Sequence, residues 1–136
     1  RDRSELLELL RDVVPHMPPR GPRHLLGIAD LESIEAAARL GFDTFDSCWP
    51  TRMGRHGTIL TSDGPLTMKH AKWRTDYRKL DERVDGVVSQ RYTRAYLHHL
   101  VRANEPLAGS IATLCTIEYT LHPCRQLREA ILNGDV

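Results

Sequence analysis

Two short apolar segments joined by one helical segment place the strongest limit on the fold of this chain. The run HLLGIA at 24–29 and the run FDTFDSC at 42–48 each have the length of a strand. Asp30 is expected to cap the helix between them, which continues through Leu40 and ends at Gly41. Because strands connected through a helix pair in parallel with a right-handed crossover, the sequence predicts a parallel α/β unit.

This unit is expected to be incomplete without further strands. The segment 24–29 is apolar enough to be buried on both faces, yet two parallel strands cannot form a sheet with a buried core. The 136 residues have the length of one modest domain. They open in mid-pattern with RDRSELLELLRDVV and no initiator Met, which favours a piece of a longer protein or a processed one.

The other segments favour helices and a hairpin. The expected elements are a helix over 5–14 capped by Ser4, a β-hairpin over 57–71 turning at Ser-Asp-Gly, an amphipathic helix over 89–104, and a last helix from Pro106 to about Leu132, capped by Asn104 and kinked at Pro123.

Charge and cysteine content exclude several classes of protein. The formal charge of +1 gives no global indication of nucleic-acid or membrane binding. The three cysteines form no C-x-x-C pair, which favours a reducing compartment such as the cytoplasm. No apolar run approaches the ~20 residues that span a bilayer. We therefore expect a cytoplasmic protein with no membrane partner.

One local segment is strongly basic. Between Met68 and Lys79 there are five Lys or Arg residues against one Asp, with Trp73 and Tyr77 interleaved. This pattern is typical of a surface that holds phosphates and stacks bases. Taken alone, the segment is more typical of a solvated face with half-buried aromatic rings.

The segment DTFDSCWPTRMGRHGT at 43–58 is expected to be an irregular loop that lines a site. Asp46 ends the second strand, and in parallel α/β proteins reactive groups lie at that edge of the sheet. A carboxylate there could attack an anomeric carbon and form a covalent glycosyl intermediate. Arg52 and Arg55 would then bind a phosphate or a base edge. An Asp that caps a loop beside surface arginines fits the spacing equally well.

A long motif separates these alternatives. HLLGIADLESIEAAARLGFDTFDSCWPTRMGRHGTILTSDGPLTMKHAKW, followed by RAYLHHLVRANE, closely resembles the C-terminal part of the tRNA-guanine transglycosylases. The resemblance implies the C-terminal portion of a (β/α)8 TIM barrel with a small zinc-subdomain-like insertion. The implied segments are the last βα units of the barrel at 1–56, with strands near 24–29 and 42–48, the insertion at 57–105, and a closing helix at 106–136.

The resemblance also implies a function. Family members exchange the wobble guanine in the anticodon loop of certain tRNAs for a 7-deazaguanine base, on the route to queuosine or archaeosine. This makes the chain part of a pentosyltransferase, expected to be inactive alone. By this resemblance, Asp46 is the nucleophile, and Leu26 and Gly27 bind the base. Arg52 and Arg55 bind the anticodon loop, and the basic stretch with Lys69 and Lys72 binds the tRNA backbone. Thr51 and Gly57 shape the loop.

The family's zinc ligands are missing. The matching positions are Val84, Gly86, Ser89 and Cys115, of which one is a ligand type, and a lone Cys cannot hold Zn²⁺ tetrahedrally. His98 and His99 point about 100° apart on a helix and are expected to be surface or satisfied core residues. We therefore expect no metal and no other cofactor, with apolar packing by Val84 and Val88 taking over the structural role of the metal.

The family's second catalytic carboxylate lies in the N-terminal half, and nothing here corresponds to it. Asp43 is expected to face away from Asp46 and is not a candidate. Three hypotheses stay open. The chain could be a catalytic half that needs an N-terminal half or an oligomeric partner, a non-catalytic homologue that binds tRNA or mediates dimerisation, or an independently folded α/β domain.

Overall fold

The structure is a computed structural model and describes residues 3–135, without the side chain of Arg3. It is a mixed α/β fold that divides into two compact units, Arg1–Ser47 with Cys124–Val136 and Cys48–Pro123. The barrel, insertion and closing-helix segments 1–56, 57–105 and 106–136 stay a prediction. No helix in the described part of the chain is long and apolar enough to cross a membrane.

The first unit contains two helices and a parallel pair of strands. Its elements are α1 (Arg3–Val13) with a 3₁₀ turn (Val14–His16), β1 (His24–Leu26), α2 (Leu31–Arg39) and β2 (Thr44–Asp46). As predicted, β1 and β2 pair in parallel, with His24 opposite Thr44 and Leu26 opposite Asp46. The strands are shorter than expected. Burial on both faces is a wrong prediction, because the Leu26 side chain is 74% exposed at the edge of a two-stranded sheet.

The helix between the strands is formed by local interactions. Asp30 accepts a hydrogen bond from the Ser33 N–H (2.9 Å), and Gly41 follows the helix with a φ of +90°, as predicted. Leu10, Ala37 and Phe42 form the buried core of this unit. Ser4 is not the cap of the first helix, since α1 already begins at Arg3.

The second unit contains the remaining elements. They are α3 (Trp49–Arg55), β3 (Thr58–Thr61), β4 (Gly64–Thr67), a 3₁₀ turn (Ala71–Trp73), α4 (Val87–Arg91), α5 (Arg94–Arg102) and α6 (Pro106–Asn133), whose last turns belong to the first unit. The predicted hairpin is confirmed as the antiparallel pair of β3 and β4, joined by the two-residue turn Ser62-Asp63. The core of the second unit includes Ile59, Met68, Leu80, Leu97 and Cys115.

The expected irregular loop after Asp46 is a short helix, α3. The Cys48 carbonyl accepts hydrogen bonds from the Arg52 N–H (2.9 Å) and from Thr51 Oγ1 (3.0 Å). A Cβ built on Gly54 would lie 2.5 Å from the backbone of Thr113. The helix therefore packs closely against α6, a long-range contact that local periodicity does not indicate.

The single helix predicted over 89–104 is broken into α4 and α5. The Tyr92 carbonyl accepts from the Leu80 N–H (3.2 Å), and the Arg94 N–H donates to the Arg78 carbonyl (3.0 Å). Residues 92–94 thus run extended beside 78–80, and Thr93 restarts the helix by accepting from the Tyr96 N–H (3.2 Å). This pairing explains the break.

The last helix agrees with the sequence in extent, since it covers 106–133 and contains Pro123. Asn104 is not its cap. It lies two residues before the helix with a φ of +56°, the left-handed conformation that Asn tolerates, and its N–H donates to the Val101 carbonyl (3.3 Å) in the turn after α5.

Candidate active site

Asp46 stands at the C-terminal end of β2 with its side chain 61% exposed. Its Oδ1 accepts a hydrogen bond from the Gly27 N–H (3.3 Å) and lies 3.3 Å from His24 Nε2. No hydrogen bond reaches Oδ2 from the residues that the structure describes. The carboxylate is thus held by one oxygen and presents the other to solvent, the form in which it can act as a nucleophile or a general base.

His24 is a member of this site that sequence reasoning missed. Its Nδ1 lies 2.8 Å from Thr44 Oγ1, and its Nε2 lies 3.3 Å from the Asp46 carboxylate. A neutral ring with the proton on Nε2 would donate to Asp46 and accept from the Thr44 hydroxyl. Alternation along the two strands could have indicated it, because His24, Thr44 and Asp46 share one face of a parallel pair.

The residues predicted to bind the base also reach this site. Leu26 is the register partner of Asp46, and its exposed side chain offers an apolar surface beside the carboxylate. Gly27 has a φ of +77°, which favours glycine and points its N–H at Asp46. Asp43 instead accepts from the Arg23 N–H (2.7 Å) and fastens the start of β1, a structural role that agrees with its exclusion as a candidate.

Arg52 and Arg55 lie on α3 in the second unit, and both are exposed. Arg55 lines a cleft of about 330 Å³ together with His56 and Lys69. Gly57, with a φ of +77°, follows α3 and leads into the hairpin, while Thr51 bonds within the first turn of α3. Their role in shaping the segment stays a prediction. The structure therefore gathers positive charge at one end of α3.

The basic stretch has two kinds of aromatic residue. Trp73 is buried and its Nε1–H donates to the Thr67 carbonyl (2.9 Å), so it is a core residue and does not offer a stacking face. Tyr77 is 75% exposed. Lys72 Nζ lies 4.4 Å from the Trp73 ring centroid and covers it. Stacking on a base, expected of both rings, is available to Tyr77 alone.

A second groove of about 630 Å³ runs beside α5. Its lining includes Lys69, Arg74, His99 and Arg102, so it is strongly cationic. His98, in contrast, is buried with Nδ1 2.6 Å from the Met68 carbonyl. His98 is a satisfied core residue and His99 a surface residue, as the sequence predicted.

A buried guanidinium contacts the turn of the hairpin. Arg94 is 3% exposed, and its Nη2 donates to Asp63 Oδ2 (2.6 Å) while its Nε donates to the Lys79 carbonyl (3.1 Å). The hydrogen bond from Arg94 lowers the pKa of the Asp63 carboxyl below its ordinary value. The hydrogen bond from Arg78 likewise lowers the pKa of Asp76.

One of the positions that match the family's zinc ligands, Ser89, contacts a carboxylate. Val84 is buried, Ser89 Oγ donates to Glu118 Oε2 (2.6 Å), and Ser89 Oγ lies 3.7 Å from Cys115 Sγ. Burial raises the pKa of the Cys115 thiol to about 12. Within residues 3–135, no three His, Cys, Asp or Glu side chains lie close enough together to hold a metal ion.

Comparison with known proteins identifies the family. The sequence profile of Queuine tRNA-ribosyltransferase matches residues 1–136. The chain is 38% identical over 130 residues to the queuine tRNA-ribosyltransferase of Natranaerobius thermophilus. The aligned region covers 96% of this chain and 35% of that protein. It is 40% identical over 133 residues to the enzyme of Koribacter versatilis, covering 98% and 35%, and 38% identical over 123 residues to that of Bacillus subtilis, covering 90% and 32%.

The chain spans about a third of the length of these relatives. The profile match spans the βαβ segment, the helix α3 with its arginines and the hairpin. The chain therefore belongs to the queuine tRNA-ribosyltransferase family.

Proposed function

We propose that this chain supplies the nucleophile and part of the tRNA-binding surface of a tRNA-guanine transglycosylase. The observation that carries the proposal is the Asp46 carboxylate, which is exposed at the end of a parallel strand and held by a backbone N–H on one oxygen. The relatives named for ribosyl transfer to tRNA support the reaction class.

The chemistry is a double displacement at the ribose anomeric carbon. Asp46 Oδ2 attacks C1′ of the wobble guanosine, an O–C1′ bond forms, and the bond from C1′ to guanine N9 breaks. Guanine leaves as its anion and takes up a proton. The N9 of a 7-deazaguanine base, losing its own proton, then attacks C1′ and displaces Asp46, which is regenerated with net retention of configuration.

His24 positions the carboxylate for this attack. A ring that donates from Nε2 to Oδ1 restricts rotation of the Asp46 side chain, and Thr44 restricts the ring in turn. The Gly27 N–H adds a second restraint on the same oxygen. Two restraints on Oδ1 leave Oδ2 directed outward, which favours a near-attack geometry.

The positive side chains of the second unit hold the RNA. Arg52, Arg55, Lys69 and Lys72 are exposed, and guanidinium groups on a short helix suit bidentate contacts to phosphates or base edges of the anticodon loop. Tyr77 offers an exposed ring for a splayed base. These contacts make binding strongly dependent on salt concentration.

The remaining two thirds of a typical relative would complete the site. A two-stranded parallel sheet with Leu26 exposed needs neighbouring strands to bury it. A further carboxylate for proton transfer to and from the exchanging bases belongs in that part, from the same polypeptide or a partner chain. A 7-deazaguanine base and the tRNA anticodon loop are the proposed ligands.

The test is a covalent adduct with tRNA. The full chain, together with an N-terminal barrel segment from a relative, is incubated with a tRNA that carries guanine at the wobble position and analysed on a denaturing gel. We expect an adduct with the native chain, none with Asp46→Asn, and undiminished adduct with Asp12→Asn, an exposed control on α1. Binding of tRNA without any adduct would instead support a non-catalytic tRNA-binding subunit.

A further inference from the structure

The residues at the family's metal-ligand positions do not fit a zinc ion. Of Val84, Gly86, Ser89 and Cys115, a single residue is a ligand type. Cys115 is fully buried with the Ser89 hydroxyl as its neighbour at 3.7 Å. Glu118 is a further ligand type beside Ser89, and its carboxylate is already engaged by other groups.

Glu118 reaches from α6 to the start of α4. Its Oε1 accepts from the Val88 N–H (2.9 Å), and its Oε2 accepts from the Ser89 N–H (2.8 Å) and from Ser89 Oγ (2.6 Å). Gly86 precedes α4 and offers no side-chain cap of its own. Glu118 therefore satisfies two backbone donors that the first turn of a helix leaves free, from about thirty residues away in the chain.

The missing side chain at position 86 makes room for this carboxylate. The three atoms nearest to a Cβ built on Gly86 all belong to Glu118, and Cδ lies at 2.5 Å. A cysteine at 86 and the carboxylate of Glu118 in its observed position would overlap. The three features therefore depend on one another: the absence of a side chain at Gly86 leaves room for the Glu118 carboxylate, which the Ser89 hydroxyl binds.

We infer that the Glu118 carboxylate replaces a metal ion as the group that ties α4 to α6, so that this unit folds without zinc. Three charge-assisted hydrogen bonds to one side chain fix α4 on α6, as a tetrahedral metal would fix its ligands. Val84 and the partly buried Val88 close the apolar side of the contact. The inference is independent of the reaction that the protein catalyses.

The first test measures metal content. The full chain is expressed in medium that contains zinc, purified without chelator and analysed by mass spectrometry of its metals. We expect far less than one zinc per chain and a melting temperature that 1,10-phenanthroline and EDTA leave unchanged. Stoichiometric zinc together with a fall in the melting temperature on chelation would overturn the inference.

The second test removes the carboxylate in two steps. Glu118→Gln keeps an acceptor oxygen but loses the charge, and Glu118→Ala leaves the donors of Val88 and Ser89 unpaired. We expect the melting temperature to fall by roughly 5–10 °C for Ala and by less for Gln. Glu129→Ala, at an exposed site on the same helix, is the control and stays within about 1 °C. Equal effects at 118 and 129 would refute the assignment.

A double-mutant cycle separates the contact from general damage to the helix. Gly86→Ala displaces the carboxylate, so it lowers the melting temperature in the native background. In the Glu118→Ala background nothing remains to be displaced, and the loss caused by Gly86→Ala shrinks to less than half. Losses that add without coupling would show that Gly86 and Glu118 act separately. If the Ala variant fails to fold, the metal analysis and the smaller fall in melting temperature with Glu118→Gln still test the inference.

Discussion

Arg94→Met tests how much an interior guanidinium contributes to the stability of the second unit. The substitution keeps an unbranched stem but removes the hydrogen bond from Nε to the Lys79 carbonyl (3.1 Å) and the charge 5.7 Å from the Trp73 ring centroid. Leaving the Lys79 carbonyl without this partner lowers the free energy of unfolding by about 1–1.5 kcal/mol. The ring contact adds about 1 kcal/mol. The ion pair with Asp63 adds little, because that carboxylate is 48% exposed.

The expected destabilisation is therefore about 2 kcal/mol, or a fall of roughly 6–8 °C in the melting temperature of a chain of this size. Urea unfolding followed by circular dichroism measures the free energy, and calorimetry measures the melting temperature.

Arg83→Met is the matched control for Arg94→Met. Arg83 Nη2 lies 2.6 Å from Asp63 Oδ1, the same distance at which Arg94 contacts the other oxygen, but its side chain is 62% exposed where that of Arg94 is 4% exposed. Exposed ion pairs contribute little, so we expect a melting temperature within about 1 °C of the native chain. Equal losses for the two variants would refute the conclusion that burial determines the contribution.

Two other perturbations probe close packing and titration. Gly54→Ala should destabilise the chain by about 2–3 kcal/mol, because its Cβ would meet the Thr113 backbone at 2.5 Å. Gly109→Ala, whose Cβ would have no atom within 4 Å, should stabilise the chain by about 0.5–1 kcal/mol. Thermal unfolding compares the two variants, and similar shifts in melting temperature would contradict the observed packing of α3. The lowered pKa values of Asp63 and Asp76 mean that their contribution to stability is present above their ordinary pKa of 3.8 and is lost as the pH falls below it. The raised pKa of Cys115 means that the free energy of unfolding falls from pH 9 toward pH 12, by about 1.4 kcal/mol per pH unit at most. Cys115→Ala should remove this part of the pH dependence in unfolding measurements across that range. An unchanged pH dependence would contradict this assignment.

Elements with local determinants could be predicted from the sequence. Asp30 and Gly41 delimit α2 through interactions within a few residues, and the turn at Ser62-Asp63 places the hairpin. The parallel pairing of β1 and β2 follows from the helix between them. In each case, the residues that determine the element are neighbours in the sequence.

Elements with long-range determinants could not be predicted. The helix α3 packs at Gly54 against Thr113 on α6, and the break before α5 coincides with pairing to residues 78–80; both contacts are long-range. Glu118 belongs to the zinc-position cluster only because the fold brings it to Ser89. The sequence suggested that Val84 and Val88 replace the metal by packing, and it contained no indication that a carboxylate would bind between the helices.

The candidate site likewise contains residues that the sequence predicted and one that it did not. Asp46, Leu26 and Gly27 were predicted from a long motif and lie together at the ends of β1 and β2, while their roles as nucleophile and base contacts stay predictions. His24 was missed because its partners, Thr44 and Asp46, are about twenty residues away and the strand register was needed to bring them onto one face. The roles of Arg52, Arg55, Lys69 and Lys72 in binding tRNA stay predictions.

The site of ribose attachment shows directly whether Asp46 is the nucleophile. The covalent complex with tRNA is trapped by denaturation in the absence of incoming base, digested with nuclease and protease, and analysed by tandem mass spectrometry. We expect a ribose-linked nucleotide on the peptide that contains Asp46, esterified at that carboxylate. Attachment at another residue, or an unchanged yield of adduct from Asp46→Asn, would contradict it.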